Sequence, residues 1–384
     1  MNARYLTTFI ATLVALVALT LTYTMGVDAL GIYRNNSDEA LSRSNQFWYM
    51  RTSKPLRLLG ADADVVVLGT SRSGRLSTTT VGIDHGFNGA IPGSTPQEQF
   101  AMLSMAASLD KTQTVVLGLD FDAFLSIYPE ERLGFPSKLV QPVNRPGHYI
   151  GKLDTLKHTF FSPFALRLSS KADSATHTGK GPIYRNDGSW HRPQKKYTNA
   201  GFKKLSQQKM DSYVNPESLV LQMEGFRRML HTCHGDGLDC VAVITPIHLF
   251  HVGILEATGT LALWREWHTE LVTINRELAE AHGAEPIPIW AFNDFDPAVG
   301  EPVSHRPQLV DPWFLDNVHF RPRFADLIMR QVLALPGAEA PDAGTRIDET
   351  SLPAYLQSVD ALRASFEQRE ANTIAALYEA LGLL

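Results

Sequence analysis

Two short segments of this 384-residue chain carry side chains that together could activate a hydroxyl group. The first, residues 69–74 (GTSRSG), places Ser71 directly after an apolar run. The second, DNVH, places Asp316 three residues before His319. A serine hydroxyl becomes a nucleophile when a neutral imidazole takes its proton and a carboxylate orients that imidazole. The two segments together therefore predict nucleophilic chemistry at Ser71.

Each segment also has a plainer interpretation when it is taken alone. A Gly-Thr-Ser turn after a strand more often only caps a helix. Asp316 would equally cap the helix that follows it, with His319 as a hydrogen-bonded core histidine. The order of the two segments, each at the boundary of a predicted element, favours the chemical interpretation.

Three further polar or aromatic residues are candidates for binding a substrate. Arg72 either holds an anionic group or pairs with a carboxylate such as Asp120. His248 follows a predicted strand and either contacts substrate or has a structural role. Trp313 either stacks on a sugar ring or packs in the core. The sequence has no dinucleotide fingerprint, P-loop or spaced metal-ligand set, so we predict no metal and no cofactor.

The elements that position these residues alternate along the chain between strands and helices. Continuous apolar runs bounded by Gly or Pro are typical of strands that are covered on both faces, as in a parallel α/β sheet. We predict strands over 63–69, 87–91, 114–121, 239–246 and 286–292. We predict helices over 96–109, 216–231, 260–282 and 321–335. Since ligands bind at the carboxyl ends of parallel strands, Ser71 falls on the functional edge.

Residues 5–27 contain no charged side chain and are long enough to cross a hydrocarbon core of ~30 Å. Arg4 precedes this run and Asp28 follows it, so the positive-inside rule places the bulk of the chain outside the cytoplasm. A signal peptide cleaved near residues 27–29 is the alternative. We predict a single-pass anchor in the inner (cytoplasmic) membrane.

Residues 125–215 interrupt the alternating pattern and are predicted to be an insertion. Between residues 151 and 212 there are 12 Lys or Arg and 4 Asp, so this segment is basic in a chain of net charge −5. The basic residues form either a solvated face or a groove for an anionic polymer. The tail at 337–384 has an apolar period of three to four residues from 348 onward, which predicts a pair of docked helices.

Composition excludes several classes of protein. With 44% apolar and 20% charged residues, the chain is not of the disordered class. Its acidic balance, with a pI near 6.2, argues against nucleic acid as a partner. Cys233 and Cys240 are too few for a disulfide framework and lack a zinc-site spacing. They are either a single staple or two free thiols.

These motifs resemble those of the SGNH hydrolase superfamily. Within it, the chain is most similar to the membrane-anchored branch that modifies surface polysaccharides, such as alginate O-acetylation proteins and the D-alanyl transfer protein of teichoic acids. The resemblance covers about 60–125 and 215–335. Members of this superfamily share several short motifs, called blocks. The resemblance implies that Ser71 is the nucleophile of the first block, that Gly93 of NGAIPGS is the glycine of the second block, and that Asp316 and His319 of the last block complete a triad.

The sequence departs from the family pattern in two blocks. The first block reads Gly-Thr-Ser where Gly-Asp-Ser is common. The third, usually Gly-x-Asn-Asp, has Asp120 at the asparagine position, and a carboxylate would repel an oxyanion. The oxyanion hole would then consist of the backbone N–H groups of Ser71 and Gly93 with the side chain of Asn88.

The resemblance implies an SGNH-like, flavodoxin-like parallel sheet sandwiched by helices over 61–336, preceded by an anchor (1–27) and a connector (28–60). It implies a serine-dependent O-acyltransferase, most simply an acetyltransferase, that acts on an extracellular polysaccharide in the periplasm or outside the cell. A multi-pass membrane acyltransferase would supply the acyl group. A polysaccharide deacetylase or esterase and a non-catalytic carbohydrate-binding protein are the alternatives.

Overall fold

The structure is a computed structural model in which residues 3–27, 50–127, 183–185, 187–191, 199–213, 215–295, 313–337 and 343–383 are described. Much of the predicted connector and most of the predicted insertion lie outside these ranges. The statements below concern the described residues.

A six-stranded sheet forms the centre of the molecule, in the order β2-β1-β3-β6-β7-β8. Neighbouring strands are parallel except β8, which runs antiparallel to β7. A separate antiparallel pair, β4 and β5, lies in the predicted insertion. The strands are β1 Val65–Leu68, β2 Gly86–Asn88, β3 Thr114–Leu119, β4 Ile183–Tyr184, β5 Trp190–His191, β6 Asp239–Ile244, β7 Ile289–Ala291 and β8 Thr345–Ile347.

The helices with described bounds are α1 Ala3–Val27, α2 Met50–Gly60, α3 Pro96–Ala107, α4 Asn199–Ser212, α5 Glu224–Gly235, α6 Leu249–Ala257, α7 Leu261–His282, α8 Pro322–Val332, α9 Leu352–Arg369 and α10 Ala371–Leu381. The central strands are short β-branched runs that are buried along almost their whole length, as expected of strands covered on both faces. The prediction of an α/β protein with a parallel sheet is confirmed.

The observed elements differ from the predicted ones in several places. The predicted helix 216–231 is a 3-10 turn at Pro216–Ser218 followed by α5. Helix α6 is buried along nearly its whole length, so it has no polar face to reveal a helical period. Helix α2 and the antiparallel edge strand β8 were not predicted. The tail forms the expected two helices, α9 and α10.

Helix α1 is long and apolar enough to cross a membrane, with a mean hydropathy of 1.6 over Ala3–Thr20 and none of that window buried. The exposure of its apolar side chains distinguishes it from a core helix, although a signal sequence would share these properties. Cys233 and Cys240 are disulfide-bonded, with Cα atoms 5.9 Å apart, and join the end of α5 to the start of β6. Of the two alternatives for these cysteines, the staple is confirmed.

Candidate functional site

The two chemically suggestive segments meet at the carboxyl edge of the sheet. Ser71 Oγ lies 2.9 Å from His319 Nε2. His319 Nδ1 lies 2.9 Å from each carboxylate oxygen of Asp316. With the Nδ1 proton directed at Asp316, Nε2 is left as the acceptor for the Ser71 hydroxyl. The three side chains form one continuous hydrogen-bonded chain, which we call the proton chain.

The turn that presents Ser71 depends on close backbone packing after β1. Gly69 has a φ of +138°, and a Cβ there would lie 2.9 Å from the carbonyl oxygen of Gly118 on β3. A Cβ on Gly118 would collide with Ser73. Glycine at both positions therefore lets the turn fold tightly over the strand ends. Ser71 stays half-buried at the edge, while Ser73 is buried beneath it.

The segment that presents the histidine is a local hairpin-like loop. Phe314 and Phe320 form an antiparallel bridge, and Leu315 N–H donates to His319 O at 2.7 Å. Asp316 Oδ1 accepts the backbone N–H groups of Val318 (3.0 Å) and His319 (2.8 Å). The carboxylate therefore shapes the loop and orients the imidazole at the same time.

Electrostatics favour a neutral imidazole and an ionised carboxylate. Burial lowers the pKa of His319 below its ordinary value of 6.5, although Asp316 opposes this shift. Burial would raise the pKa of Asp316, but the charge and hydrogen bond of His319 and the Val318 N–H outweigh it and hold the pKa well below its usual range. At neutral pH, His319 can accept a proton and Asp316 can stabilise the resulting imidazolium.

The two residues whose backbone N–H groups were predicted to form the oxyanion hole, Ser71 and Gly93, line one cleft. Gly93 lines the same cleft as Ser71 and His319, with a φ of +60°. Both N–H groups lack a hydrogen-bond acceptor among the described residues, and their predicted role in an oxyanion hole stays a prediction.

The prediction that the Asn88 side chain joins this hole is wrong. Its amide nitrogen donates to the carbonyl oxygens of Ser73 (2.8 Å) and Leu76 (2.7 Å), and its Oδ1 accepts the Ala90 N–H (3.0 Å). Asn88 is fully buried. It connects the loop of the serine to the loop of Gly93, and both of its amide protons are already occupied.

Neighbouring side chains hydrogen-bond to Asp120 and balance its negative charge. Asp120 accepts hydrogen bonds from the hydroxyl groups of Thr70 and Thr245 and pairs with Arg72 Nη1 at 3.2 Å. The other guanidinium nitrogen of Arg72 lies 2.9 Å from Asp122. Arg72 lines the cleft and pairs with both carboxylates, so the ion-pair alternative is observed, while the predicted substrate contact stays a prediction.

Asp122 extends this charged group into the predicted insertion. Besides Arg72, it accepts from the Lys209 ammonium of α4 and from the Tyr213 hydroxyl. Tyr213 in turn lies 3.4 Å from His251 Nε2. We call Arg72, Asp120, Asp122 and Lys209 the buried charge cluster. Sequence reasoning missed Asp122 and Lys209, although Asp122 follows Asp120 by two residues at the end of β3.

The other two predicted substrate contacts lie outside the cleft. His248 is fully buried, and its Nδ1 accepts the Phe250 N–H at 3.1 Å, so it caps α6. Trp313 is buried against the ring of Phe324, with the Arg323 guanidinium 4.3 Å from its ring centroid. The structural alternative applies to both residues, and the predictions of substrate contact are wrong.

The cleft over the proton chain has a volume of about 210 Å³. Its lining residues are Thr70, Ser71, Arg72, Gly93, Asp120, Asp122, Ala123, Leu205, Lys209, Val318 and His319. Within the described ranges, no group of three or more His, Cys, Asp or Glu side chains is placed to hold a metal ion. The chemistry that this arrangement can supply is proton transfer and serine nucleophilicity.

Comparison with known proteins assigns no family to the chain. Its sequence matches no protein-family model and no curated protein sequence.

Proposed function

We propose that this protein is a serine-dependent O-acyltransferase that acts on a cell-surface polysaccharide outside the cytoplasm, with the SGNH-type arrangement that its motifs resemble. The observation that carries the proposal is the proton chain, in which Ser71 Oγ lies 2.9 Å from His319 Nε2 beside an open cleft. A nucleophile, a base and an orienting carboxylate in hydrogen-bond contact satisfy the geometric requirements for acyl transfer.

The reaction proceeds in two half-reactions. His319 Nε2 accepts the Ser71 proton as Oγ attacks the carbonyl carbon of the acyl donor, and the N–H groups of Ser71 and Gly93 receive the oxyanion. The imidazolium then protonates the leaving alcohol or thiol as an acyl-serine forms. A sugar hydroxyl next gives its proton to His319 and attacks the acyl carbon of the acyl-serine. His319 then returns that proton to Ser71 Oγ as the ester bond to serine breaks, which releases the acylated sugar and free Ser71.

The extracytoplasmic setting rests on two observations. Helix α1 is long and apolar enough for a single-pass anchor, and the Cys233–Cys240 disulfide is of the kind that persists in oxidising compartments. The polysaccharide acceptor and a multi-pass membrane protein that supplies the acyl group rest on the resemblance alone.

The test is covalent labelling of the full-length chain by a fluorophosphonate. We expect labelling at Ser71 in the wild type and none in Ser71→Ala. Ser104→Ala is the matched control, because Ser104 is a partly buried serine whose hydroxyl bonds only within α3, to Phe100 O. A folded wild-type chain without label at Ser71 would rule out the enzyme and favour a carbohydrate-binding role.

A second measurement separates the transferase from the polysaccharide esterase. The wild-type chain is incubated with an aryl acetate and an oligosaccharide acceptor, and the fate of the acetyl group is followed by mass spectrometry. We expect acetyl on the oligosaccharide. Acetate in solution alone, together with loss of acetyl from an acetylated glycan, would support the esterase instead.

A further inference from the structure

Helix α2, the first described element after α1, directs the basic side chains of Arg51 and Lys54 at β2 and the loop that follows it. Arg51 and Lys54 are one helical turn apart and both donate to backbone carbonyls of this region. Side chains three residues apart lie on the same face of a helix. This face of α2 is therefore directed at the loop that contains Gly93.

Arg51 makes the contacts that matter for the site. Its Nη2 lies 3.2 Å from the carbonyl oxygen of Pro92 and 3.2 Å from that of Gly93. Its Nε lies 3.1 Å from Glu98 Oε1, which holds the guanidinium in place. Glu98 is itself fixed by the capping box of α3. The guanidinium is thus held between a rigid helix start and the turn at Pro92.

The Pro92 carbonyl and the Gly93 N–H belong to the same peptide group. A trans peptide is planar, and its C=O and N–H point in opposite directions. A donor that holds the Pro92 oxygen on one side therefore directs the Gly93 N–H to the other side, and Gly93 lines the cleft. The contact that Arg51 makes with the Pro92 oxygen therefore lies on the side of this peptide opposite to its N–H.

The turn itself leaves this peptide with two orientations. Ser94 N–H donates to Ile91 O at 3.0 Å, so residues 91–94 form a β-turn with Pro92 and Gly93 at its centre. Proline followed by a residue with a φ of +60° is the signature of a type II turn. Types I and II differ by a flip of the central peptide, and glycine accepts either. The turn hydrogen bond alone does not select between them.

We propose that Arg51 is a positioning residue that holds the Pro92–Gly93 peptide in the type II orientation and thereby aims the Gly93 N–H at the oxyanion. The inference rests on the proposed function for its catalytic consequence, but the orientation of the peptide is independent of any activity. Lys54 supports the same side of the site by donating to the carbonyls of Asn88 and Gly188 (2.6 Å for Gly188).

The experiment measures the hydrolysis of an aryl acetate by full-length Arg51→Gln, Arg51→Lys and wild type. We expect kcat of Arg51→Gln to fall by about 100-fold, the loss that follows removal of one oxyanion donor. We expect KM to change less than the kcat and the acid limb of the pH profile to stay in place, since the proton chain is untouched. Arg51→Lys keeps a cation for the Pro92 oxygen and should recover part of the lost kcat.

The control is Arg265→Gln, which removes an ion pair between α7 and α9, with Arg265 Nη2 2.7 Å from Asp360 Oδ2. It should keep wild-type kcat. A crystal structure of Arg51→Gln is the readout that needs no activity, and we expect φ at Gly93 to become negative. A type II turn that persists in this variant overturns the inference, and so does an unchanged kcat in an active enzyme. A wild type that hydrolyses no ester contradicts the proposed function alone, because the crystal structure still decides the inference.

Discussion

Ser71 and Arg72 are adjacent in the chain, yet their side chains enter two different networks. Ser71 begins the proton chain, which continues through His319 to Asp316. Arg72 begins the buried charge cluster, which continues through Asp122 to Lys209. Neighbouring residues in a tight turn can point into separate surroundings, so the same turn contributes to a hydrogen-bonded chain and to a cluster of charges.

The two networks differ in whether a proton can move. In the proton chain, burial brings the pKa of His319 below 6.5, so the imidazole is neutral and can accept a proton at physiological pH. In the charge cluster, burial opposes ionisation, but Asp120 and Asp122 raise the pKa of Arg72, while Lys209 and Arg72 lower that of Asp122. The proposed reaction depends on the proton chain, whereas the charge cluster contributes to stability, so variants in each network should fail in different ways.

The largest expected effect follows from breaking the proton chain with Asp316→Asn. An amide oxygen can still accept the Val318 and His319 N–H groups, so the fold should be kept. The amide nitrogen would donate to His319 Nδ1 and leave the imidazole proton on Nε2, so kcat for an aryl acetate should fall by about 10⁴-fold. Steady-state kinetics and thermal unfolding of the same preparation measure both quantities. A large loss of stability with an unchanged kcat per folded molecule would contradict the separation.

The pH profiles of activity for the wild type and Asp316→Asn show in which direction Asp316 shifts the pKa of His319. In the wild type, activity should rise with pH through the pKa of His319, which burial lowers below its ordinary value of 6.5. Asp316 raises the pKa of His319, so its neutralisation should move the residual acid limb to lower pH. If the acid limb of Asp316→Asn moved to higher pH instead, a group other than His319 would control the activity.

The next effect follows from breaking the charge cluster with Asp122→Asn. The variant leaves Lys209 without its carboxylate and Arg72 with Asp120 alone, and breaking a buried pair in this way costs about 3–5 kcal/mol in free energy of unfolding. Chemical denaturation measures this loss. Fluorophosphonate labelling of Ser71 per folded molecule should change far less than in Asp316→Asn.

This loss should also depend on pH. The pKa of Asp122 is lowered in the fold, so its stabilisation is complete above the ordinary value of 3.8 and is lost as the pH falls below it. The difference in stability between wild type and Asp122→Asn should therefore shrink in acid. A difference that grows as the pH falls would contradict the assignment of the charge.

The smallest effect is expected at the outer end of the cluster, in Lys209→Met. Its side chain is 17% exposed, and Asp122 keeps Arg72 and Tyr213 as partners, so the free energy of unfolding should fall by about 1 kcal/mol, as for one hydrogen bond. Lys204→Met on the same helix is the control, because Lys204 is exposed. Equal effects in the two variants would show that Lys209 does not belong to the cluster.

Features that depend on neighbouring residues were predicted well. The apolar runs of β1, β3 and β6 and the helical period of the tail are local patterns, and each corresponds to an observed element. Asp316 and His319 are three residues apart, so one local turn is enough to join them. Their spacing therefore indicated their pairing before any fold was known.

Side chains with distant partners were mostly predicted poorly, although the order of the two segments and the family resemblance did indicate the contact of Ser71 with His319. Asn88 was assigned to the oxyanion hole because it is polar and close to Gly93 in sequence, but carbonyls 12 and 15 residues earlier occupy its amide. His248 follows a strand end, yet its ring turns inward to cap α6. Side-chain direction at a strand end depends on packing by other elements, which a local pattern does not contain.

By itself, the sequence determined where the parallel strands lie, that a serine follows the first of them, and that a carboxylate and an imidazole share one turn. Tertiary structure alone decided that Ser71 meets His319, a contact across 248 residues, and that Lys209 reaches Asp122 across 87. It also decided that Arg51 holds the peptide of Gly93. The physical reason is the separation of the partners along the sequence. Hydrophobic periodicity and turn preferences act over a few residues, whereas these contacts exist only once the sheet has brought distant strand ends to one edge.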